Sequence, residues 1–353
     1  MTTKPVIREI KESEISFLDE MLYEAINKMD EKKVRHLLIY NSENIIDGIV
    51  SANEIFQFQF DSSQQIRERI RNAHTLNDLK AVFKSLPNNV NSLIYGGAKS
   101  FIVLNAIAEV SAEITKKINE LIIFELGSAP VPFAFVSLGS EGRQEQTLLT
   151  DQDNAIIFDD LSNNNQSSTL TYFERYAERM NYMLDAVGFS YCKGNIMAKN
   201  QVWNQPINQW KKYFHNWITT PEPKNIIDVS IFFDMRLSVG SNDLVDNLLN
   251  FVQSEINLNP NFLSIMAKTS LSYKSHLSFF GKLQTESTSE YANSLNIKES
   301  IRLIVNLVRL YSMKYNIKET KRVFKITLWP MVGPPTSTKA MPVYKTTKGS
   351  KSL

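Results

Sequence analysis

Two aspartates one residue apart, Asp151 and Asp153, stand between a Gly-Ser turn and an apolar run in "LGSEGRQEQTLLTDQDNAIIF", residues 138–158. Side chains alternate on a strand, so both carboxylates point to one face, about 7 Å apart along the backbone. Gln152 points the other way, and Ala155 to Phe158 carry the strand into a core. Like charges on one face repel unless a cation lies on them. Mg²⁺ fits, because it takes one or two protein carboxylates and completes its shell with water and phosphate oxygens. Gly139 and Ser140 end the preceding strand. Glycine lets a backbone approach phosphate closely, and the serine adds a donor. Arg143 offers a triphosphate a planar fork of donors. Together these residues make a site for a metal-bound nucleoside triphosphate.

A third carboxylate would complete a two-metal site, in which one ion activates the attacking hydroxyl and the other steadies the leaving pyrophosphate. The candidates lie on "NIIDVSIFFDMRLSVG", which reads as a buried strand. Asp228 stands at its start and Asp234 towards its C-terminal end, with Arg236 on the same face. The two aspartates share parity, so alternation does not separate them. Asp234 is preferred because active groups gather at strand ends near loops. Glu141 and Glu145 either add charge near the metals or shape the turn through hydrogen bonds.

The elements that must hold these residues follow from hydrophobic period. "PVPFAFVSLGS" is a strand entering a turn, and "TDQDNAIIFDD" is a second strand. "STLTYFERYAERMNYMLDAVGF" is an amphipathic helix with Leu170, Phe173, Tyr176, Ala177, Met180, Met183, Leu184 and Val187 on one face. Gly188 stops it. Residues 61–128 read as a helical linker, broken at Pro87-Asn88-Asn89. Residues 129–245 hold the candidate site, and residues 246–320 read as helical. "KESIRLIVNLVRLYSMKY" is apolar almost all round, as in the centre of a bundle. Residues 1–60 read as a small α/β unit: a strand at "VIREI", a helix over "SFLDEMLYEAINKMDEKK", strands at "VRHLLIYN" and "IIDGIVS", then a helix at "ANEIFQFQF". Residues 321–353 hold four prolines and no acidic residue, and read as a basic, disordered or aberrant tail.

The chain has 353 residues, 43% hydrophobic and 22% charged, enough for two or three domains with a sizeable core. Its net charge of +2 is near neutral, and no basic groove signature is visible, so nucleic acid is not an expected partner. No stretch of about 18 apolar residues is free of charge or proline, so no membrane span is expected. Residues 1–14 lack an apolar signal core, and the single cysteine, Cys192, fits a reducing cytosol. A cytoplasmic location is expected.

Strand, Gly-Ser turn, D-x-D on a second strand and a later strand carboxylate form a pattern that resembles the nucleotidyltransferase fold of the DNA polymerase β superfamily. "GSEGRQEQTLLTDQDNAIIF", "GFSYCKGNIMAKNQVWNQPINQWKKYFHNW" and "IFFDMR" are similar to bacterial signal-transduction nucleotidyltransferases related to the uridylyltransferase that modifies the nitrogen-regulatory PII protein. The resemblance runs over residues 60–320. It implies an α+β fold with a catalytic domain and a C-terminal helical substrate-binding domain. It implies Gly139 and Ser140 on the nucleotide phosphates and Asp151 and Asp153 on the metal. Asp234 is carried over as the third carboxylate. Two Mg²⁺ ions are implied, with Mn²⁺ as an alternative. "KVRHLLIYNSENIIDGIVSANEIF" resembles one CBS motif, a regulatory module that usually senses adenine nucleotides. Such motifs normally bind ligand as pairs; a single one would find its mate in a second chain, giving a homodimer.

Several conspicuous residues have ordinary readings. Cys192 reads as a loop thiol, since no histidine stands near it in sequence. Lys193, Lys199 and Asn200 either reach nucleotide or are solvated loop residues. Trp203, Trp210 and Trp217 recur every seven residues, which places them on one helical face and in a core. The four histidines have no zinc-ligand spacing. The expected activity is transfer of a nucleoside monophosphate from NTP to a hydroxyl of a protein or small molecule. The competing expectation is a nucleotide-sensing regulatory module without catalysis, against which the complete set of carboxylates argues.

Overall fold

The computed structural model describes residues 9–10, 25, 28–29, 31–40, 45–52, 64–95, 98–161, 166–222, 226–271 and 297–317. The fold is mixed α+β and divides into two compact units, Met1–Glu255 and Ile256–Leu353. The helix expected at residues 52–60 lies, but for Ala52, outside the described residues, as does the tail at 321–353. Among the described residues, no helix is long and apolar enough to cross a membrane.

The first unit is built around a four-stranded sheet. Its order is β8 (Asn204–Pro206), β6 (Asn154–Phe158), β4 (Phe133–Ser137) and β9 (Arg236–Gly240). β4 is antiparallel to both β6 and β9, and β6 is parallel to β8. Every residue of β4 and of β6 is buried, which is why both read as unbroken apolar runs rather than alternating ones. Ser137, the last residue of β4, pairs with Asn154, the first of β6, and with Arg236, the first of β9. Three chain segments therefore meet at one end of the sheet: the exit from β4 and the entries to β6 and β9.

Helices cover this sheet. α1 (Leu76–Tyr95) and α2 (Ser100–Leu126) lie against α4 (Gln166–Val187); α3 is the single turn Gly139–Gly142 after β4. Thr75 and Asp78 start α1 with a reciprocal capping box: the Thr75 N–H donates to Asp78 Oδ2 (2.9 Å) and the Asp78 N–H to Thr75 Oγ1 (3.3 Å). Ile107, Ile114, Ile118 and Ile122 make a buried stripe on α2 at helical spacing. They join a core with Phe133, Phe135, Phe158, Phe173 and Met180. Phe158 stacks on Phe173 with centroids 4.6 Å apart. The buried Tyr176 hydroxyl donates to Asn119 Oδ1 at 2.6 Å.

Three local expectations are corrected. α1 runs through Pro87 instead of breaking there. Leu79, Val82, Leu86 and Val90 continue a buried stripe past an exposed Pro87, so packing outweighs the one backbone bond the proline cannot make. On α4, Leu170 is exposed, and Thr169 and Asn181 share the buried face instead. "NIIDVSIFFDMRLSVG" is not one strand. It forms the helical turn α6 (Ile226–Val229), a 3₁₀ turn (Ser230–Asp234) and β9. Asp234 therefore precedes a strand instead of ending one.

The N-terminal segment carries a small sheet of β1 (Glu9–Ile10), β2 (His36–Tyr40) and β3 (Ile46–Ser51). β1 is parallel and β3 antiparallel to β2. Ala25, Met29 and Leu37 form its core, with Val34, Val50 and Ala52 packed against it.

The helix α7 (Asn242–Leu258) follows β9, and in the second unit α8 (Asn261–Leu271) packs against α9 (Ile297–Lys314). Phe262, Met266 and Met313 are buried, and the buried Arg309 donates to Asn306 Oδ1 at 2.7 Å. Not every apolar position of α9 is enclosed, for Ile304 and Leu307 are half-exposed.

Ile118 is fully buried at the centre of the α2 stripe. Ile118→Ala is expected to lower stability by about 2–5 kcal/mol, measured by urea denaturation; a loss below about 1 kcal/mol would contradict the packing described.

Candidate active site

The site grows from the end of the sheet where β4, β6 and β9 meet. Leu138 leaves β4 in an extended conformation, and its N–H donates to the Asp153 carbonyl at 2.8 Å. Gly139 then turns the chain at φ +55°, a conformation L side chains rarely adopt. A Cβ there would stand 2.9 Å from Ile231 Cδ1 and 3.2 Å from Asp153 Oδ2. At Gly142 a Cβ would stand 2.0 Å from the Asp234 carbonyl oxygen and 3.0 Å from that of Ser137. Two glycines thus let the α3 turn lie directly between Asp153 on one side and Asp234 on the other.

Asp151 and Asp153 are half-buried on one side of the chain, while Gln152 between them is buried on the other. Their alternation is the one expected, although only Asp151–Gln152 is regular strand, β5, before β6 begins at Asn154. β5 pairs in parallel with β7 (Ser190–Tyr191), with Asp151 opposite Ser190 and Gln152 opposite Tyr191. The next step of that register sets Cys192 beside Asp153. One donor atom from each of Asp151, Asp153 and Cys192 lies within 4.8 Å of the others. Burial pushes the Cys192 thiol above its ordinary pKa; backbone bonds at Ile196 and Gly194 work against this, and the neighbouring Asp153 carboxylate adds to it.

A buried amide network fixes this arrangement. Gln152 Nε2 donates to the carbonyls of Asn181 (3.0 Å) and Phe189 (2.8 Å). Asn181 Nδ2 donates to Gln152 Oε1 (2.7 Å) and Asn154 Oδ1 (2.9 Å). The N–H groups of Ala198 and Lys199 donate to Asn154 Oδ1 and Asn181 Oδ1, both at 2.8 Å. The segment 189–199 is thereby tied to the strand that carries the two aspartates. It also brings the Lys199 ammonium 3.5 Å over the Tyr191 ring.

Asp234 and Arg143 meet each other. The Arg143 guanidinium donates through Nη1 to Asp234 Oδ2 and through Nε to Glu145 Oε2 (2.9 Å). Burial disfavours the Arg143 charge, but Asp234 and then Glu145 outweigh it and raise its pKa. Asp234 is almost wholly enclosed and is not in the three-donor group. Its turn is held by aromatic packing: Phe232 lies 4.5 Å from Trp203, 5.6 Å from Trp210 and 5.2 Å from Trp217, centroid to centroid. Trp210 is fully buried and donates to the Ile156 carbonyl at 2.9 Å. Trp210 is a core residue, as expected, while Trp203 and Trp217 are half-buried against Phe232. The three do not share one helical face, because Trp203 precedes α5 (Ile207–Thr219) in a 3₁₀ turn.

Ser140, half-buried, follows Gly139 on the α3 turn. Sequence reasoning brought Asp151, Asp153 and Gly139 to one place. It missed Cys192 as their neighbour, and it missed the amide network. Asn181 carried a readable signal, since the helical period puts this polar residue on the apolar face with Ala177 and Leu184. Asp228 lies in the α6 turn.

Residues 84–224 match the family described as "Putative nucleotidyltransferase DUF294", and residues 260–327 match the "Putative nucleotidyltransferase substrate binding domain". Both matches support a nucleotidyltransferase family. The first spans β4, the α3 turn, both aspartates and the Cys192 segment. No curated protein matches the chain significantly.

Glu141 is buried beside this site, and burial raises its pKa from 4.5 to about 7, against the lowering effects of Arg236 and a Ser137 hydrogen bond. A raised folded pKa means the associated stability is complete below 4.5 and is lost as pH rises towards 7. The loss is on the order of 3 kcal/mol. Urea denaturation at pH 5 and pH 8 should therefore show wild type losing stability relative to Glu141→Gln as pH rises. Parallel pH dependence in the two proteins would contradict it.

Proposed function

We propose that this chain transfers a nucleoside monophosphate from NTP to a hydroxyl of a protein or small molecule, in signalling and with chemistry like that of PII uridylyltransferase. What supports this most is the convergence of Asp151 and Asp153 beside the Gly139 turn, inside the segment that matches the nucleotidyltransferase family. The donor set fits a divalent cation, since two carboxylates are what Mg²⁺ or Mn²⁺ usually takes from a protein. Such an ion, when bound, neutralises phosphate charge and positions the triphosphate.

The chain's own groups do the rest. Gly139 lets the backbone turn against Ile231 and Asp153 where a Cβ would not fit, and the Ser140 hydroxyl supplies a donor to phosphate. The acceptor oxygen forms a bond to the α-phosphorus, its O–H bond breaks with the proton leaving to solvent, and the α–β P–O bond breaks to release pyrophosphate. Arg143 and Asp234 have coupled roles in this scheme. A triphosphate gives the Arg143 fork a third anionic partner beside Asp234 and Glu145, and an Arg143 that turns to it makes the Asp234 carboxylate available for the part of third acid. The match of residues 260–327 to a substrate-binding domain supports a substrate-binding role for the second unit.

Asp153→Asn keeps the side-chain size and removes one charge. It is expected to cut transfer of labelled nucleotide to acceptors in cell extract at least about a hundredfold, with an unchanged circular dichroism spectrum. Wild-type transfer by this variant would refute the proposal. Tight NTP binding by wild type without any transfer would favour the nucleotide-sensing module instead.

A further inference from the structure

The donor group beside the α3 turn holds a sulfur that hard-cation chemistry does not call for. We propose that Cys192 is a third protein ligand of the divalent ion held by Asp151 and Asp153, and that its sulfur tilts the site from magnesium towards borderline ions such as zinc, cobalt and cadmium. This rests on the proposed function, because it concerns the same ion.

Three observations converge on it. The donor atoms come from two separate elements and still lie within 4.8 Å of one another, a spread that small side-chain rotations close onto one ion. The parallel register of β5 and β7 sets Asp151 opposite Ser190 and Gln152 opposite Tyr191, and its continuation by one residue brings Cys192 in line with Asp153. The Cys192 segment is anchored from behind through Asn154 and Asn181, both buried, which bond the backbone at residues 198 and 199. A second tie joins the Asn154 N–H to the Ile196 carbonyl at 3.1 Å. Cys192 is half-buried, reachable by an ion yet drawn out of bulk water.

The chemistry follows from ligand softness. Carboxylates suit magnesium and manganese, whereas a thiolate favours zinc and other thiophilic ions. A mixed set of two oxygens and one sulfur lies between these classes. Coordination replaces the thiol's hydrogen with the metal: one S–H bond breaks, one S–metal bond forms, and the proton leaves to solvent.

Cys192 is the chain's single cysteine, so any thiolate signal reports this residue. Cobalt(II) titrated into the full chain is expected to give a thiolate-to-cobalt charge-transfer band in the near ultraviolet. The band should be absent in Cys192→Ser and strongly weakened in Asp153→Asn. Cadmium affinity, read by calorimetry, should fall at least about tenfold in Cys192→Ser, and by a larger factor than magnesium affinity measured in the presence of NTP. In wild type alone, cadmium should also protect Cys192 from alkylation, which keeps the test open if the serine variant misfolds.

Equal cobalt and cadmium binding by wild type and Cys192→Ser, with no band and no protection, would overturn the sulfur ligand and leave the carboxylate metal site standing. A band that survives Asp153→Asn with unchanged affinity would mean a lone thiol binding metal, and would overturn it too. Failure of wild type to bind any of these ions, with or without NTP, would sink both this inference and the proposed function.

Discussion

The buried triangle of Gln152, Asn154 and Asn181 is the constraint on which the site depends. Each amide is almost fully removed from water, where an unpaired polar group costs about 1–3 kcal/mol. The hydrogen bonds that satisfy these amides tie three elements together: the strand bearing Asp151 and Asp153, helix α4, and the segment 189–199. A network of this kind is worth having only when it is satisfied throughout, so it specifies one arrangement of those elements. That arrangement has Gln152 facing inward, and alternation then turns Asp151 and Asp153 outward together. A self-repelling acidic pair is thus held in place from behind, by neutral groups that do not cancel its charge.

The other wall of the site is organised by charge. Arg143 spans Glu145 and Asp234, while Arg236 faces the buried Glu141. Burial lowers the Arg236 pKa, and the Glu141 carboxylate opposes that. Both arginines therefore offset carboxylates that are costly to bury. The aromatic cluster of Trp203, Trp210 and Trp217 around Phe232 fixes the 3₁₀ turn, and the close approach of Gly142 to the Asp234 carbonyl fixes α3 against it. Core packing and buried charge are continuous here. Phe232 belongs to the core, and two residues later Asp234, equally enclosed, accepts from Arg143.

What could be read from the sequence divides along physical lines. β4, β6 and the apolar face of α4 follow from local pattern, and so does the shared face of Asp151 and Asp153, because alternation and helical period act over a few residues. The turn that carries Asp234 could not be read in the same way. A short apolar run such as "SIFF" suits a strand or a tight helix equally, and here tryptophans from more than ten residues upstream decide the matter. Pro87 follows the same logic, since the stripe of Leu79, Val82, Leu86 and Val90 overrides a local breaker. Cys192 was legible as a loop thiol and no more. Its neighbourhood depends on a parallel pairing across nearly forty residues, which sequence period does not encode.

The central claim is that Asp151 and Asp153 together grip a divalent ion at a nucleotide site. The most direct measurement is an anomalous-difference map, at the manganese edge, from crystals grown with manganese and a non-hydrolysable NTP. The expected result is a peak in coordination contact with the carboxylates of Asp151 and Asp153 and with the nucleotide's phosphates. A bound nucleotide whose metal peak lies away from both aspartates would contradict the claim.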